Sequence, residues 1–238
     1  TLLGDRPDYV FSHVTRLVTS KGLWRDFRVL EKLEQTFRLL GKSAVMFVLS
    51  TELPPRLPED VARMEAEWGW PLAHREKDAD LSHGEAIFYA GVQQFNTRSR
   101  RIKIIFVNQF GWSPELCGSL MPPDMDLLDL RRGTDVEFGQ SIYEPFGIAQ
   151  LEPLTYGGIC LMTQVCGSAG LVQRIAHGQH EPNVIVGDYC NCGPHRCSEA
   201  EWLSLRRRER HLHEAQVADG LAAKLLETLP DSDLAREQ

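Results

Sequence analysis

Apolar residues in this chain follow two alternating patterns. Short runs that are apolar throughout, or at every second position, recur between longer stretches whose apolar residues return every three or four positions. The short runs read as strands at 9–16, 44–50, 101–107, 135–138, 158–162 and 183–186. The longer stretches read as helices: 26–40, ended by Gly41; 59 to about 68, after the break at Pro54, Pro55 and Pro58; 81–95; 122–132; one near Leu171; and C-terminal helices from 198 to about 228. Ser198 with Glu201 makes a capping box at the start of the last group. Strand and helix in regular alternation predict an α/β fold, a Rossmann-like parallel sheet flanked by helices, with the C-terminal helices added at the end.

The segment Tyr143-Glu144-Pro145-Phe146-Gly147-Ile148-Ala149-Gln150-Leu151-Glu152 follows the fourth strand. A residue before proline favours extended geometry and proline suits the first helical position, so Glu144 belongs to the loop and Pro145 or Phe146 opens a helix. Gly147 leaves room above the first turn, where free N–H groups and the helix dipole favour an anion such as a diphosphate. At about 1.5 Å per residue, Glu152 falls roughly 12 Å or less from Glu144, about the span of a diphosphate with a sugar on each side. On spacing alone Glu144 reads as a solvated loop acid, and only its place in the longer motif reverses that, whereas Glu152, between Leu151 and Leu154, reads as partly buried and in need of a partner. Pro153 either kinks this helix, at about 3 kcal/mol, or falls in a final turn that Gly157-Gly158 cuts short.

Glu144-Pro-Phe-Gly147 followed by Glu152 resembles the Glu-x7-Glu signature of retaining GT-B glycosyltransferases, and Tyr143–Gly147 is most similar to the glycogen and starch synthase branch. Arg16-Leu-Val-Thr-Ser-Lys21-Gly22 resembles the Arg-x4-Lys-Gly segment with which those enzymes hold the donor diphosphate. Val165–Val172 resembles their second glycine-rich loop, with Cys166 where the family usually has glycine. The three matches stand in family order. The resemblance implies that residues 1–238 form a single Rossmann-like domain, the donor-binding half of a GT-B enzyme, with 51–100 atypical of the family and C-terminal helices at 198–238. It implies transfer of a sugar, with glucose expected, from a nucleotide-diphospho-sugar to a glycan or small-molecule acceptor, with retained configuration and no cofactor or catalytic metal. In those terms Arg16 and Lys21 stabilise the leaving diphosphate and Glu144 positions the sugar. Glu152 binds the ribose, and Phe146, Gly147, Ile148, Gly167 and Ser168 complete the donor site. The acceptor surface belongs to an N-terminal GT-B domain missing from this chain, so the chain alone is expected to transfer no sugar. Cys166 and the 51–100 segment also fit an alternative, a non-catalytic nucleotide-binding or regulatory module that kept the fold. A nicotinamide oxidoreductase is disfavoured, because no Gly-x-Gly-x-x-Gly follows the first strand.

Composition narrows the setting. A chain of 238 residues that is 42% hydrophobic has enough apolar material for one large α/β core. A net charge of −7 disfavours a general nucleic-acid binder, and the basic runs at 98–103 and 206–210 read as a solvated strand edge and helix face. No apolar run nears the roughly 20 residues of a membrane span and the start lacks a signal-peptide pattern, so a cytoplasmic protein without membrane partners is expected. Thr1 is not an initiator methionine, which suggests a piece of something longer. Cys190, Cys192 and Cys197, with His195, His177 and His180 nearby, suit either a structural zinc site or ordinary reduced thiols. His13, His74 and His83 have no evident partner in the sequence.

Overall fold

The computed structural model describes residues 6–52, 57–68, 81–108, 112–177, 179, 181–191, 198–232 and 235. Six strands, β1 (Tyr9–Thr15), β2 (Ala44–Ser50), β3 (Ile102–Val107), β4 (Val136–Gly139), β5 (Ile159–Thr163) and β6 (Val184–Gly187), form one sheet in the order β3-β2-β1-β4-β5-β6. Every pairing is parallel, with Phe11 opposite both Met46 and Val136 at the centre. The chain winds outward from β1 to β3, returns, and winds the other way from β4 to β6. The reversal leaves a crevice beyond the carboxyl ends of β1 and β4, where ligands of such sheets bind.

Nine helices cover the faces among the described residues: α1 (Leu23–Leu40), α2 (Pro58–Trp68), α3 (His83–Arg98), α4 (Pro114–Cys117), α5 (Leu127–Arg132), α6 (Ile148–Leu151), α7 (Gly167–Ile175), α8 (Glu199–Ser204) and α9 (Arg207–Thr228). Successive strand residues point to opposite faces, so two cores form. Phe11, Met46, Ile104, Phe138 and Leu161 meet α1, α3 and α9 through residues such as Leu30, Leu33, Phe37, Phe95 and Leu225. On the other face, Leu49 and Val107 pack with Cys117, Met121 and Leu130, while Cys160 and Met162 pack with Cys166 and Ala169.

Several boundaries depart from the sequence expectation, each for a local reason. The first strand ends at Thr15, leaving Arg16 in the loop. α1 begins at Leu23 rather than Asp26 because Gly22, in the left-handed region, supplies its N-cap. α5 begins at Leu127 rather than Pro122 because the Asp126 side chain accepts from the Leu128 and Asp129 amides, at 2.8 and 3.1 Å. α4 was not expected. Pro153 kinks no helix: α6 is a single turn and a 3₁₀ segment at Glu152–Tyr156 follows, with Pro153 in its first turn. Gly157, at φ +80°, ends that segment.

Of the two basic runs, the first is partly structural, since Lys103 Nζ donates to the carbonyls of Asn96 and Ser99 at the end of α3, at 2.7 and 2.6 Å. The second is exposed at the start of α9, as expected. Among the described residues, no helix is long and apolar enough to cross a membrane.

Candidate functional site

Lys21 reaches the crevice because two loops are stitched together. After β1 the chain makes a 3₁₀ turn at Thr19–Lys21 and enters α1 through Gly22, at φ +63°. A Cβ on Gly22 would lie 2.4 Å from the Gln140 carbonyl oxygen, so only glycine lets this loop press so closely on the loop after β4. The Ser20 carbonyl accepts from the amides of Ile142 and Tyr143, at 2.8 and 3.2 Å. Lys21 Nζ thereby donates to Glu144 Oε2, with the two side chains 20% and 11% exposed.

The motif loop is clamped from the far side by the start of α7. Glu144 forms a parallel β-bridge with Cys166, the Gly167 amide donates to the Glu144 carbonyl at 3.2 Å, and the Ser168 amide donates to the Phe146 carbonyl at 2.8 Å. Gly167 and Ser168 thus hold the loop that carries Glu144. Burial, more than any other influence, pushes the Cys166 thiol above its ordinary range, which suits a packing residue and not a nucleophile. Gly147 turns the chain into α6 at φ +85°. Phe146 and Ile148 are exposed around it, together with Tyr143 and Ile142, as an apolar rim at the carboxyl ends of the strands.

The remaining motif residues lie apart from that pair. Arg16 is exposed at the end of β1, and its side chain pairs with none of the described residues. Glu152, 46% exposed, lies against Arg131, with Nη2 and Oε2 2.7 Å apart. Arg131 is buried and donates from Nη1 to Glu137 Oε2 at 2.7 Å. Glu137, fully buried in β4, also accepts from the Val14 amide at 2.9 Å and from the Ser12 hydroxyl. The buried charge is satisfied by three partners, as a carboxylate in such a place must be.

A second polar chain escaped the sequence reading. His13 Nδ1, buried in β1, lies 2.7 Å from Asp26 Oδ2, and Asp26 Oδ1 accepts from Gln140 Nε2 at 2.9 Å. Gln140 Oε1 accepts from the Tyr189 hydroxyl, and the Arg25 guanidinium sits 3.8 Å from the Tyr189 ring centroid. Arg25 and Tyr189 form one wall of a cavity of about 670 Å³ between α1 and α9. Burial pushes the Tyr189 hydroxyl well above the ordinary tyrosine range. A charged or titratable residue inside an apolar run was the available signal. Ser-His13-Val in β1 and Val-Glu137-Phe in β4 are such places, because a parallel strand covered on both faces leaves those groups no water. Among the described residues no group of three or more His, Cys, Asp or Glu is arranged to hold a metal. Of the residues suited to a zinc site, Cys190 and His177 are described, whereas Cys192, His195, Cys197 and His180 lie outside the described residues, as does His74.

No family model and no curated protein matches this sequence. Solved structures do match its fold. An α,α-trehalose-phosphate synthase (UDP-forming) from Burkholderia xenovorans, in complex with glucose-6-phosphate, superposes with a TM-score of 0.54 at 15% identity, over 99% of this chain and 38% of that one. An α,α-trehalose 6-phosphate synthase from Burkholderia multivorans gives 0.46 at 14% identity over 99% and 41%. WaaG, a glycosyltransferase of lipopolysaccharide biosynthesis, gives 0.44 at 16% over 97% and 45%. The chain spans about two-fifths of the length of these structures. A single parallel six-stranded sheet flanked by helices, superposed along its whole length on less than half of the Burkholderia xenovorans synthase, is the fold of one Rossmann-like half of a GT-B glycosyltransferase.

Proposed function

We propose that this chain is the donor-binding half of a retaining glycosyltransferase of the glycogen and starch synthase-like branch, acting in a cytoplasmic setting. Its donor is a nucleotide-diphospho-sugar, with glucose the expected sugar, and its acceptor a glycan or small molecule presented by an N-terminal GT-B domain. The observation that carries this reading is the Lys21–Glu144 pair, delivered to one point by loops leaving two adjacent strands of the crevice. A cation and a carboxylate so placed suit the two ends of the breaking bond.

In the reaction, Lys21 exchanges Glu144 for the diphosphate and neutralises the charge that grows on it as its bond to the sugar breaks and the sugar carbon bonds to the acceptor oxygen. This is electrostatic stabilisation by a group already in position. Glu144, released, accepts hydrogen bonds from the sugar hydroxyls. Arg16 at the lip adds a planar fork for phosphate oxygens. Glu152 accepts from the ribose, and Phe146, Gly147 and Ile148 cover the donor, while Gly167 and Ser168 keep the Glu144 loop in place. The exposed apolar rim supports the reading, because it gives a ligand or a second domain apolar surface to cover.

Calorimetry with uridine, adenosine and guanosine diphosphates tests this reading. One of them is expected to bind, and Lys21→Ala to weaken it about tenfold or more, a charge-assisted contact being lost. Arg16→Ala should weaken it less. Binding that ignores Lys21→Ala contradicts the assignment. The product of the longest reading frame containing this chain is expected to transfer sugar, and the isolated chain not to. Binding without transfer in that longer product favours the non-catalytic module.

A further inference from the structure

We infer that Arg131 is a positioning residue for the donor ribose, acting through Glu152. The inference rests on the donor-site reading above, but on Arg131 and Glu152 and not on the Lys21–Glu144 pair that carries that reading. Arg131 is buried on the face of the sheet that α5 and α6 cover, while Glu152 is nearly half exposed above it. The guanidinium cannot reach a ligand in solvent. It can fix the residue that does.

The anchoring runs from backbone to surface in three steps. The β1 strand holds Glu137 through the Val14 amide and the Ser12 hydroxyl. Glu137 fixes one arm of Arg131 through Nη1 at 2.7 Å. The other arm, Nη2, lies 2.7 Å from Glu152 Oε2, in a contact of charge that is off the N–H direction. An ionised carboxylate has about four acceptor positions on two oxygens. The Glu152 side chain is 46% exposed and accepts no hydrogen bond from the described residues, so acceptor positions remain for a ligand. A carboxylate held from below by a charge contact has lost rotamer freedom that binding would otherwise have to remove. Glu152 also sits at the junction of α6 and the 3₁₀ segment, where a short helical turn alone fixes it weakly. A fully buried Arg–Glu pair is a poor choice for stability alone, since apolar residues of similar size serve as well. Its presence beneath an exposed motif carboxylate is explained if it aims that carboxylate.

The test compares the affinity of whichever of uridine and adenosine diphosphate binds more tightly with that of its 2′,3′-dideoxy analogue. The wild-type chain is expected to prefer the ribose form by about tenfold, the worth of one hydrogen bond to a charged acceptor. Glu152→Gln and Arg131→Met should each shrink that preference to about twofold or less, and Arg131→Lys should recover part of it. Binding of inorganic pyrophosphate, which carries no ribose, should be unchanged in both Arg131 variants. Where Arg131→Met alone fails to fold, because Glu137 is then left buried and unpaired, the double variant Arg131→Met with Glu137→Met makes the same comparison. A folded Arg131 variant that keeps the wild-type ribose preference overturns the inference and leaves the donor site standing. Absence of any nucleoside diphosphate binding by the wild-type chain overturns both.

Discussion

Replacing Gly147 by alanine separates what the backbone of the motif loop costs from what its surroundings forbid. Gly147 has φ +85° and Gly41, at the end of α1, has φ +70°. Alanine in the left-handed region costs about 1–2 kcal/mol at either position. A Cβ at position 41 would meet nothing within 4 Å, whereas one at 147 would lie 1.7 Å from Gln150 Oε1 and 3.0 Å from Glu144 Cγ. Gln150 cannot swing clear. It is buried, and its Cγ passes so close to Gly139 that a Cβ there would fall 2.1 Å away. Something in the loop must therefore move, and overpacking of this kind adds about 1–3 kcal/mol. Gly147→Ala should lose roughly 2–5 kcal/mol in urea unfolding, against about 1–2 kcal/mol for Gly41→Ala. Because Glu144, the proposed sugar-binding residue, is displaced, Gly147→Ala should also weaken binding of the intact nucleotide-diphospho-sugar about tenfold, and Gly41→Ala should leave it unchanged. In a Gln150→Ala background the added cost of Gly147→Ala should fall to the Gly41→Ala level. If Gly147→Ala proves no costlier than Gly41→Ala, the close packing of Gly147 between Gln150 and Glu144 is wrong.

Two further predictions concern titratable groups away from the motif. Burial alone would raise the Glu34 carboxyl, but the Ser99 hydroxyl, the Arg100 and Arg101 amides and Arg38 outweigh it and hold it below its ordinary 4.5. A folded-state value below the unfolded one gives stability that is complete above about pH 4.5 and lost as pH falls through the lower folded value. Urea midpoints measured downward from about pH 6 should therefore fall more steeply for the wild type than for Glu34→Gln, and parallel curves would exclude this role. The Cys160 thiol is pushed up to about 12, by burial first and then by Glu137. Iodoacetamide at mildly alkaline pH should spare Cys160 and the likewise buried Cys117 in the native chain while modifying partly exposed Cys190, as mass spectrometry of the peptides would show. Equal rates at Cys160 and Cys190 would count against the packing of β5.

Much of the architecture was legible because buried parallel strands leave a strong mark. The run Ala44–Leu49 is apolar throughout and lies between β1 and β3, and the alternation of strand and helix gave the doubly wound sheet. Helix starts were less legible where the cap was not a typical polar residue. Gly22 caps α1 by conformation alone, and Asp126 caps α5 four residues after the proline that seemed to open it. Of the site, the Lys21–Glu144 pairing was foreshadowed by motif order, although the residues stand 123 positions apart and no local rule connects them. The role of Gly167 and Ser168 as a clamp on the Glu144 loop was not legible, because it consists of backbone bonds between segments distant in the chain. Neither was the Arg131–Glu152 contact. Arg131 looked like an ordinary basic residue in the last turn of a helix, and only the fold shows that Glu137 waits beneath it.

The central claim is that Lys21 and Glu144 form the two sides of a donor cradle at the β1–β4 crevice. A crystal structure of the chain with the preferred nucleoside diphosphate-glucose tests it most directly. The diphosphate is expected on Lys21 with its pairing to Glu144 broken, the glucose against Glu144, and a ribose hydroxyl within hydrogen-bond reach of Glu152. A nucleotide bound elsewhere, with the Lys21–Glu144 pair intact, would contradict it.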